Sequence, residues 1–173
     1  MKDYKREIYS VLRQEVLARC RYELFAEIAR QEGLHYYAKI FEETAQNELS
    51  HAREIFRILG KLGSTEENLR TAIEAEKEEQ ESVYPRLAEQ AMAEGELEAA
   101  RLFKQIGMIE ERHQQRLERL LELLESDSVF KREEAIKWKC RVCGYVYEGT
   151  EPPQKCPGCQ NDITHYEPED FGI

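Results

Sequence analysis

Two kinds of residue spacing in this chain could do chemistry. Cys140-x-x-Cys143 and Cys156-x-x-Cys159 set four thiols in two pairs, with 12 residues between the pairs, in a C-terminal segment of 36 residues. A segment that short cannot hold a core without a staple, so a tetrahedral metal held by all four sulfurs is the expectation. Gly144 and Gly158 stand beside ligands, where a bare backbone lets N–H groups approach the thiolates and tune a redox potential. Four cysteines accept either iron or zinc.

The second spacing is Glu-x-x-His, present twice as Glu48/His51 and Glu110/His113. One helical turn separates the two side chains, so each pair shares a face. That face is otherwise apolar: Phe41, Ala45, Ala52 and Ile55 align with Glu48, and Phe103, Ile106 and Leu117 with Glu110. Glu15 interrupts the stripe Ile8, Val11, Ala18, Tyr22, Phe25 and Ala29 in the same way. Glu76 falls in line with Leu69, Ile73, Gln80, Val83 and Leu87, with Glu79 one turn on. Glu78 and Glu81 start roughly 200° away around that helix and should face solvent. Carboxylates buried together repel and lose hydration unless cations sit between them. Glu15, Glu48, His51, Glu76, Glu79, Glu110 and His113 are therefore candidate ligands of a two-metal site. Such donors suit iron, with manganese as the alternative, and fit a structural zinc poorly.

The elements that must position these groups are helices. Residues 4–125 hold four stretches of helical periodicity, divided at Gly33, at Gly60–Ser64 and at Gly95. Ser64-Thr65-Glu66-Glu67 reads as a capping box ahead of the third stretch, and Pro85 should kink that helix. An internal repeat appears under a shift of 62 residues: Tyr22 meets Tyr84, Ala26 meets Ala88, Gly33 meets Gly95, Phe41 meets Phe103, Glu48 meets Glu110 and His51 meets His113. Glu15, however, meets Lys77 and misses Glu76 by one residue. Two pseudo-symmetric helical hairpins, each with Glu-x-x-His on its second helix, match the arrangement of a symmetric di-metal bundle. The helical pattern breaks at Ser126-Asp127-Ser128, and from Trp138 the composition turns to Cys, Gly, Pro and Tyr. Domains of 1–137 and 138–173 are expected. In the second, Trp138, Tyr145, Tyr147, Tyr166 and Phe171 are expected to pack around the metal.

A formal charge of −10 without a Lys/Arg block argues against binding nucleic acid or an anionic membrane. No run approaches the length of a membrane span, and the first residues lead into an amphipathic pattern, so a cytoplasmic location is expected. Cysteine pairs in such a chain point to metal rather than disulfides. Cys20 is left over and reads as a small helix residue.

Taken together, these motifs resemble the rubrerythrin family across essentially the whole chain. The resemblance is carried by Glu15-Val16-Leu17-Ala18-Arg19-Cys20-Arg21-Tyr22, by Glu76-x-x-Glu79 before Val83-Tyr84-Pro85, by both Glu-x-x-His pairs, and by Cys140-Arg141-Val142-Cys143-Gly144-Tyr145-Val146 with Cys156-Pro157-x-Cys159. It implies a mainly α fold: a ferritin-like antiparallel four-helix bundle followed by a small rubredoxin-like domain with short β-strands. It implies iron at both sites, with Glu48 and Glu110 bridging, Glu15 terminal on one iron, and Glu76 with His113 on the other. One iron would exchange Glu79 for His51 on reduction, and Tyr22 and Tyr84 would partner the carboxylates. The implied activity is a peroxidase reducing hydrogen peroxide to water in oxidative-stress defence, with electrons passing through the four-cysteine iron. Reduced rubredoxin or an NAD(P)H-linked reductase would be the donor, and a head-to-tail homodimer the assembly. A ferroxidase or iron-handling protein and a di-iron oxidase share the bundle ligands and are the alternatives. Val16-Leu17 departs from the more polar pair common after the first Glu.

Overall fold

A computed structural model describes residues 3–170. The chain is mainly helical, with a small three-stranded sheet at its C-terminal end, and divides into two compact units at residues 63 and 64. Phe171 lies outside the described residues. No helix among the described residues is long and apolar enough to cross a membrane.

The first unit is a hairpin of α1 (Asp3–Gln31) and α2 (His35–Ile58). Its turn is closed by Leu34 N–H donating to the Ala29 carbonyl at 2.8 Å and Gly33 N–H to that of Arg30 at 3.1 Å. This is a left-handed C-terminal cap, and Gly33 carries the φ of +78° that it demands. The seam is lined by small residues: Leu12, Ala26, Ala29, Ala38, Ala45 and Ala52 are the buried apolar positions. Alanines let two backbones pack closely but bury little area, and Val11 and Phe25 stay exposed at 42% and 47%. Tyr22 stacks on Phe41 with ring centroids 6.2 Å apart, and Arg30 pairs with Glu42 across the turn.

The second unit begins with the same logic. α3 (Thr65–Glu78) starts at a capping box, in which Ser64 Oγ accepts from Glu67 N–H at 3.2 Å and the Glu67 carboxylate accepts from Ser64 N–H at 2.7 Å. A π-helical segment, Glu79–Val83, joins α3 to α4 (Tyr84–Ala93), and α3 and α4 both pack on α5 (Leu97–Glu125). Gly95, with φ +81°, closes the turn before α5 as Gly33 does in the first hairpin. Tyr84 faces Phe103 at 6.4 Å, the counterpart of Tyr22 and Phe41.

The expected kink at Pro85 takes the form of this π segment. Pro85 has no N–H to donate, and a π turn holds one residue more than an α turn. That extra residue accounts for the slip in the repeat. Ahead of it the spacing is 61, carrying Leu12 to Ile73 and Glu15 to Glu76; beyond it the spacing is 62, carrying Tyr22 to Tyr84.

After α5 the chain forms β1 (Ile136–Cys140), β2 (Val146–Gly149) and β3 (Tyr166–Pro168), with β1 central and antiparallel to both neighbours. Trp138, Cys140, Cys156 and Tyr166 are its buried core. Trp138 Nε1 donates to the Gly149 carbonyl at 2.9 Å, and the Arg132 guanidinium lies 5.2 Å from its ring centroid. Tyr147 lies opposite Trp138 in the β1–β2 register, and Tyr145 lies beside Gly158 and the cysteine sulfurs; the two are 39% (Tyr145) and 37% (Tyr147) exposed.

Candidate metal centres

Each hairpin assembles one triad. In the first, α1 brings Glu15 to α2, where His51 Nδ1 lies 3.0 Å from Glu15 Oε2 and 3.2 Å from Glu48 Oε2. In the second, α3 brings Glu76 to α5, where His113 Nδ1 lies 2.6 Å from Glu110 Oε2 and 3.4 Å from Glu76 Oε2. In both triads the ligand atoms lie within 4.8 Å of one another. The carboxylates are half-buried while each imidazole is exposed, so each triad opens outward from its own hairpin.

The electrostatics of the triads are those of groups held too close. The hydrogen bond from Glu48, helped by His51 and opposed by burial, pulls the Glu15 carboxyl below its ordinary value. Glu48 is raised by the same bond with Glu15 and by burial. His51 is raised, first by its hydrogen bond to Glu15 and then by that to Glu48. In the second triad, burial and the neighbouring Glu110 raise Glu76. Without a cation, the raised Glu48, His51 and Glu76 hold their protons more tightly than in water. Two half-buried carboxylates and an imidazole within 4.8 Å are a donor set that a divalent ion fits, replacing those protons.

Glu79 stands apart. It is half-buried at the first residue of the π segment and belongs to neither triad, whereas Glu78 and Glu81 are exposed. Its charge still reaches Tyr84, whose hydroxyl is raised by burial and then by Glu79, Glu110 and Glu76. Tyr22 is half-buried among aromatic rings. Cys20 is exposed on α1.

The four cysteines converge. Cys140 Sγ lies 3.8 Å from Cys159 Sγ, and Cys143 Sγ 3.6 Å from Cys156 Sγ. A metal bound tetrahedrally at about 2.3 Å from each sulfur sets sulfurs about 3.8 Å apart, whereas a disulfide sets them at about 2.05 Å. The spacing is that of an ion. Burial pushes the Cys156 thiol up, but the Tyr166 hydroxyl and the Cys159 and Gly158 N–H groups outweigh it and bring it down to about 6. The Tyr166 hydroxyl is buried without a hydrogen bond of ordinary geometry, and burial and then the neighbouring Cys156 sulfur raise it. Cys159 is lowered by Asn161, whose Nδ2 donates to its sulfur at 3.3 Å. Cys143 accepts from Tyr145 N–H, yet burial and the neighbouring sulfurs push it up to about 12. Three of four thiols thus divide into low and high, the signature of sulfurs competing for the charge an ion would neutralise. A Cβ on Gly158 would come within 3.1 Å of Cys143 Sγ, so this position is glycine for room as well as for its N–H.

Asn161, Tyr166 as a thiolate partner, and Arg132 over Trp138 had no sequence signature, because each depends on which loop folds against which sulfur or ring.

The profile of the rubrerythrin family matches residues 10–121, and that of the rubrerythrin, rubredoxin-like domain matches residues 138–167. A rubrerythrin of Porphyromonas gingivalis is 41% identical over 167 residues, covering 89% of this chain and 84% of that protein. One of Nitratidesulfovibrio vulgaris is 35% identical over 176 residues, covering 94% and 92%. A solved structure of partially reduced nigerythrin is 23% identical, covering 93% of this chain and 84% of that one, with a TM-score of 0.38.

Proposed function

The chain belongs to the rubrerythrin family, and on that premise we propose that it reduces hydrogen peroxide to water. Iron is the cofactor of both centres, a pair at the carboxylates and one ion at the cysteines. When bound, the iron pair would supply two electrons to the O–O bond and the four-cysteine iron would restore them one at a time, so that peroxide, two electrons and two protons give two waters. Glu15, Glu48, His51, Glu76, Glu79, Glu110 and His113 would hold the pair, and Cys140, Cys143, Cys156 and Cys159 the single ion.

The observation that carries this reading is the pairing of twin Glu–Glu–His triads with a thiolate quartet in one chain. Storage of iron needs no one-electron carrier; a reductase does. The remaining work falls to the side chains. The hydroxyl of Tyr84, raised by burial and by the nearby carboxylates, keeps its proton and can donate to a carboxylate oxygen. Glu48 and His51, both raised, hold protons that an entering metal would displace, so metal binding and proton release are linked. External electrons would come from reduced rubredoxin or an NAD(P)H-linked reductase, in the cytoplasm, to a homodimer. The net charge of −10 favours a donor with a basic docking face.

The test is to reduce the iron-loaded protein without oxygen, add one equivalent of peroxide, and follow the visible absorption of both centres by stopped flow. Fast oxidation of the pair, then of the thiolate-bound iron, is the expected result. Sluggish reaction with peroxide and fast reaction with oxygen would replace this reading with an oxidase or ferroxidase.

A further inference from the structure

We propose that Arg132 is a positioning residue: it locks the four-cysteine module to the C-terminal end of α5, so that the electron carrier is held in one pose instead of swinging on a linker. The proposal rests on the reading of that module as the carrier, and adds what fixes it to the helix bearing Glu110 and His113. The helix, the linker and the module all belong to the second compact unit.

The last turn of α5 ends in fixed geometry. Ser128 N–H donates to the Leu123 carbonyl at 2.8 Å and Asp127 N–H to that of Leu124 at 3.3 Å, with Asp127 at φ +53°. This is the paired-bond, left-handed helix end, reached here with aspartate in place of glycine. It leads the chain off the helix axis and sets the Ser128 carbonyl outside the helix as an acceptor. From there to Ile136, where β1 begins, no helix or strand forms among the described residues. A charged stretch of that kind, left to itself, extends and behaves as a loose tether.

Arg132 stands in the middle of this stretch and reaches both sides of it. Toward α5, its Nη1 donates to the Ser128 carbonyl at 2.5 Å and to the Lys131 carbonyl at 2.6 Å. Toward the module, its backbone N–H donates to the Thr150 carbonyl at 2.9 Å, one residue past β2, and its guanidinium carbon lies 5.2 Å from the centroid of the Trp138 ring. Trp138 is fully buried and is itself tied to β2 through Nε1 and the Gly149 carbonyl. One planar side chain thus connects the end of α5 to the ring at the centre of the module, two residues ahead of the ligand Cys140.

The chemistry of the side chain suits this double task. A guanidinium donates in its own plane and stacks through its face, so it can hold carbonyls at its edge and an aromatic ring at once; an ammonium cannot do both. The position is electrostatically unfavourable, since burial and then the neighbouring Arg119 hold Arg132 below the ordinary guanidinium value. Contacts that only arginine can make offset that cost. Lys131 also reaches the module, with its Nζ 3.4 Å from Glu151, but both partners are exposed and such a pair contributes little.

Trp138 is the only tryptophan in the chain and is buried in the module, so its polarised emission reports how the module turns. The measurement is time-resolved fluorescence anisotropy on the full chain with zinc at the four cysteines, a closed-shell ion that takes the same sulfurs without redox quenching. In wild type the anisotropy should decay only with the tumbling of the whole protein. Arg132→Ala should add a component about five-fold faster, because the module is 36 of the 173 residues and rotation time scales with volume. Arg132→Lys, which keeps the charge and loses the planar fork, should show the same added component, and Lys131→Ala should decay as wild type. A fast component in wild type would overturn the proposal, whether or not the variants fold. So would its absence in an Arg132→Ala protein that binds zinc, or equal loosening in Lys131→Ala. In the iron-loaded protein, oxidation of the thiolate-bound iron after peroxide should be indifferent to added sucrose in wild type and slow with viscosity in Arg132→Ala. Viscosity dependence in wild type would count against a fixed pose. Failure of wild type to react with peroxide would sink the peroxidase reading, while the anisotropy still decides the joint.

Discussion

His51 and Glu15, 36 residues apart in sequence, meet at 3.0 Å, and the same imidazole nitrogen reaches Glu48 at 3.2 Å. The meeting raises His51 and Glu48 and lowers Glu15, and burial raises Glu76 in the other triad. Glu48, His51 and Glu76, being raised, bind protons more tightly folded than unfolded, and Glu15, being lowered, does the opposite. The stabilising contribution of the raised groups is complete below the unfolded values of about 4.3 for the carboxyls and about 6.5 for the imidazole, and fades as pH rises through the folded ones. The metal-free protein should therefore lose stability between acid and mildly alkaline pH relative to Glu48→Gln with His51→Gln, measured by urea unfolding. Iron should reverse the trend, binding more tightly as pH rises and releasing protons. A flat difference between the two proteins across pH 5 to 9 would mean the triad protons are not held as the geometry indicates.

Glu110→Ala removes a proposed bridging ligand and should lower iron affinity of the pair more than the roughly 10- to 100-fold that loss of a supporting hydrogen bond costs. Glu79→Ala should behave differently. Glu79 belongs to neither triad, so its loss should leave iron loading within a few-fold of wild type and alter the spectrum of the oxidised pair. Isothermal titration and visible absorption check both, and equal losses in the two variants would make Glu79 an ordinary ligand.

Gly158→Ala would push a methyl group to 3.1 Å from Cys143 Sγ. Relief of that contact must come from the knuckle itself, at a cost of about 1–3 kcal/mol. Faster transfer of iron to a chelator, with unchanged loading of the carboxylate pair, is the expected outcome.

Tyr166→Phe removes the hydroxyl that neighbours the Cys156 sulfur. Hydrogen bonds to thiolate stabilise the more negative, reduced centre, so the variant should have a lower reduction potential by potentiometric titration. An unchanged potential would leave the hydroxyl without a role at this centre.

Ser64→Ala deletes the cap of α3 and should cost about 1 kcal/mol in denaturant unfolding. This cap was legible in sequence because a capping box is local: four consecutive residues contain all of it. The outward face of Glu78 and Glu81 against half-buried Glu76 and Glu79 was legible too, since helical period alone separates them. The convergence of Glu15 with Glu48 and His51 followed from two apolar stripes that had to face each other. The π segment was visible only as a slip in the repeat, because periodicity records which side chains share a face and not which carbonyl each N–H chooses. Asn161 against Cys159 and Arg132 against Trp138 left no trace, as neither contact repeats nor lies on a patterned face. The partial exposure of Tyr145 and Tyr147 was not legible, because composition gives aromatic content without strand register.

The single extra residue of the π segment has a consequence for the ancestry and the behaviour of the site together. Two hairpins with identical triads describe a duplicated unit, and a duplicated unit offers two metal positions that nothing distinguishes. One inserted residue in the π segment leaves the triad upstream and the aromatic pair downstream in place, and at the head of that segment a substitution puts a carboxylate, Glu79, where the first hairpin has Ala18. An insertion and a substitution in a symmetric pair thus give one position a neighbour the other lacks, and with it a separate identity.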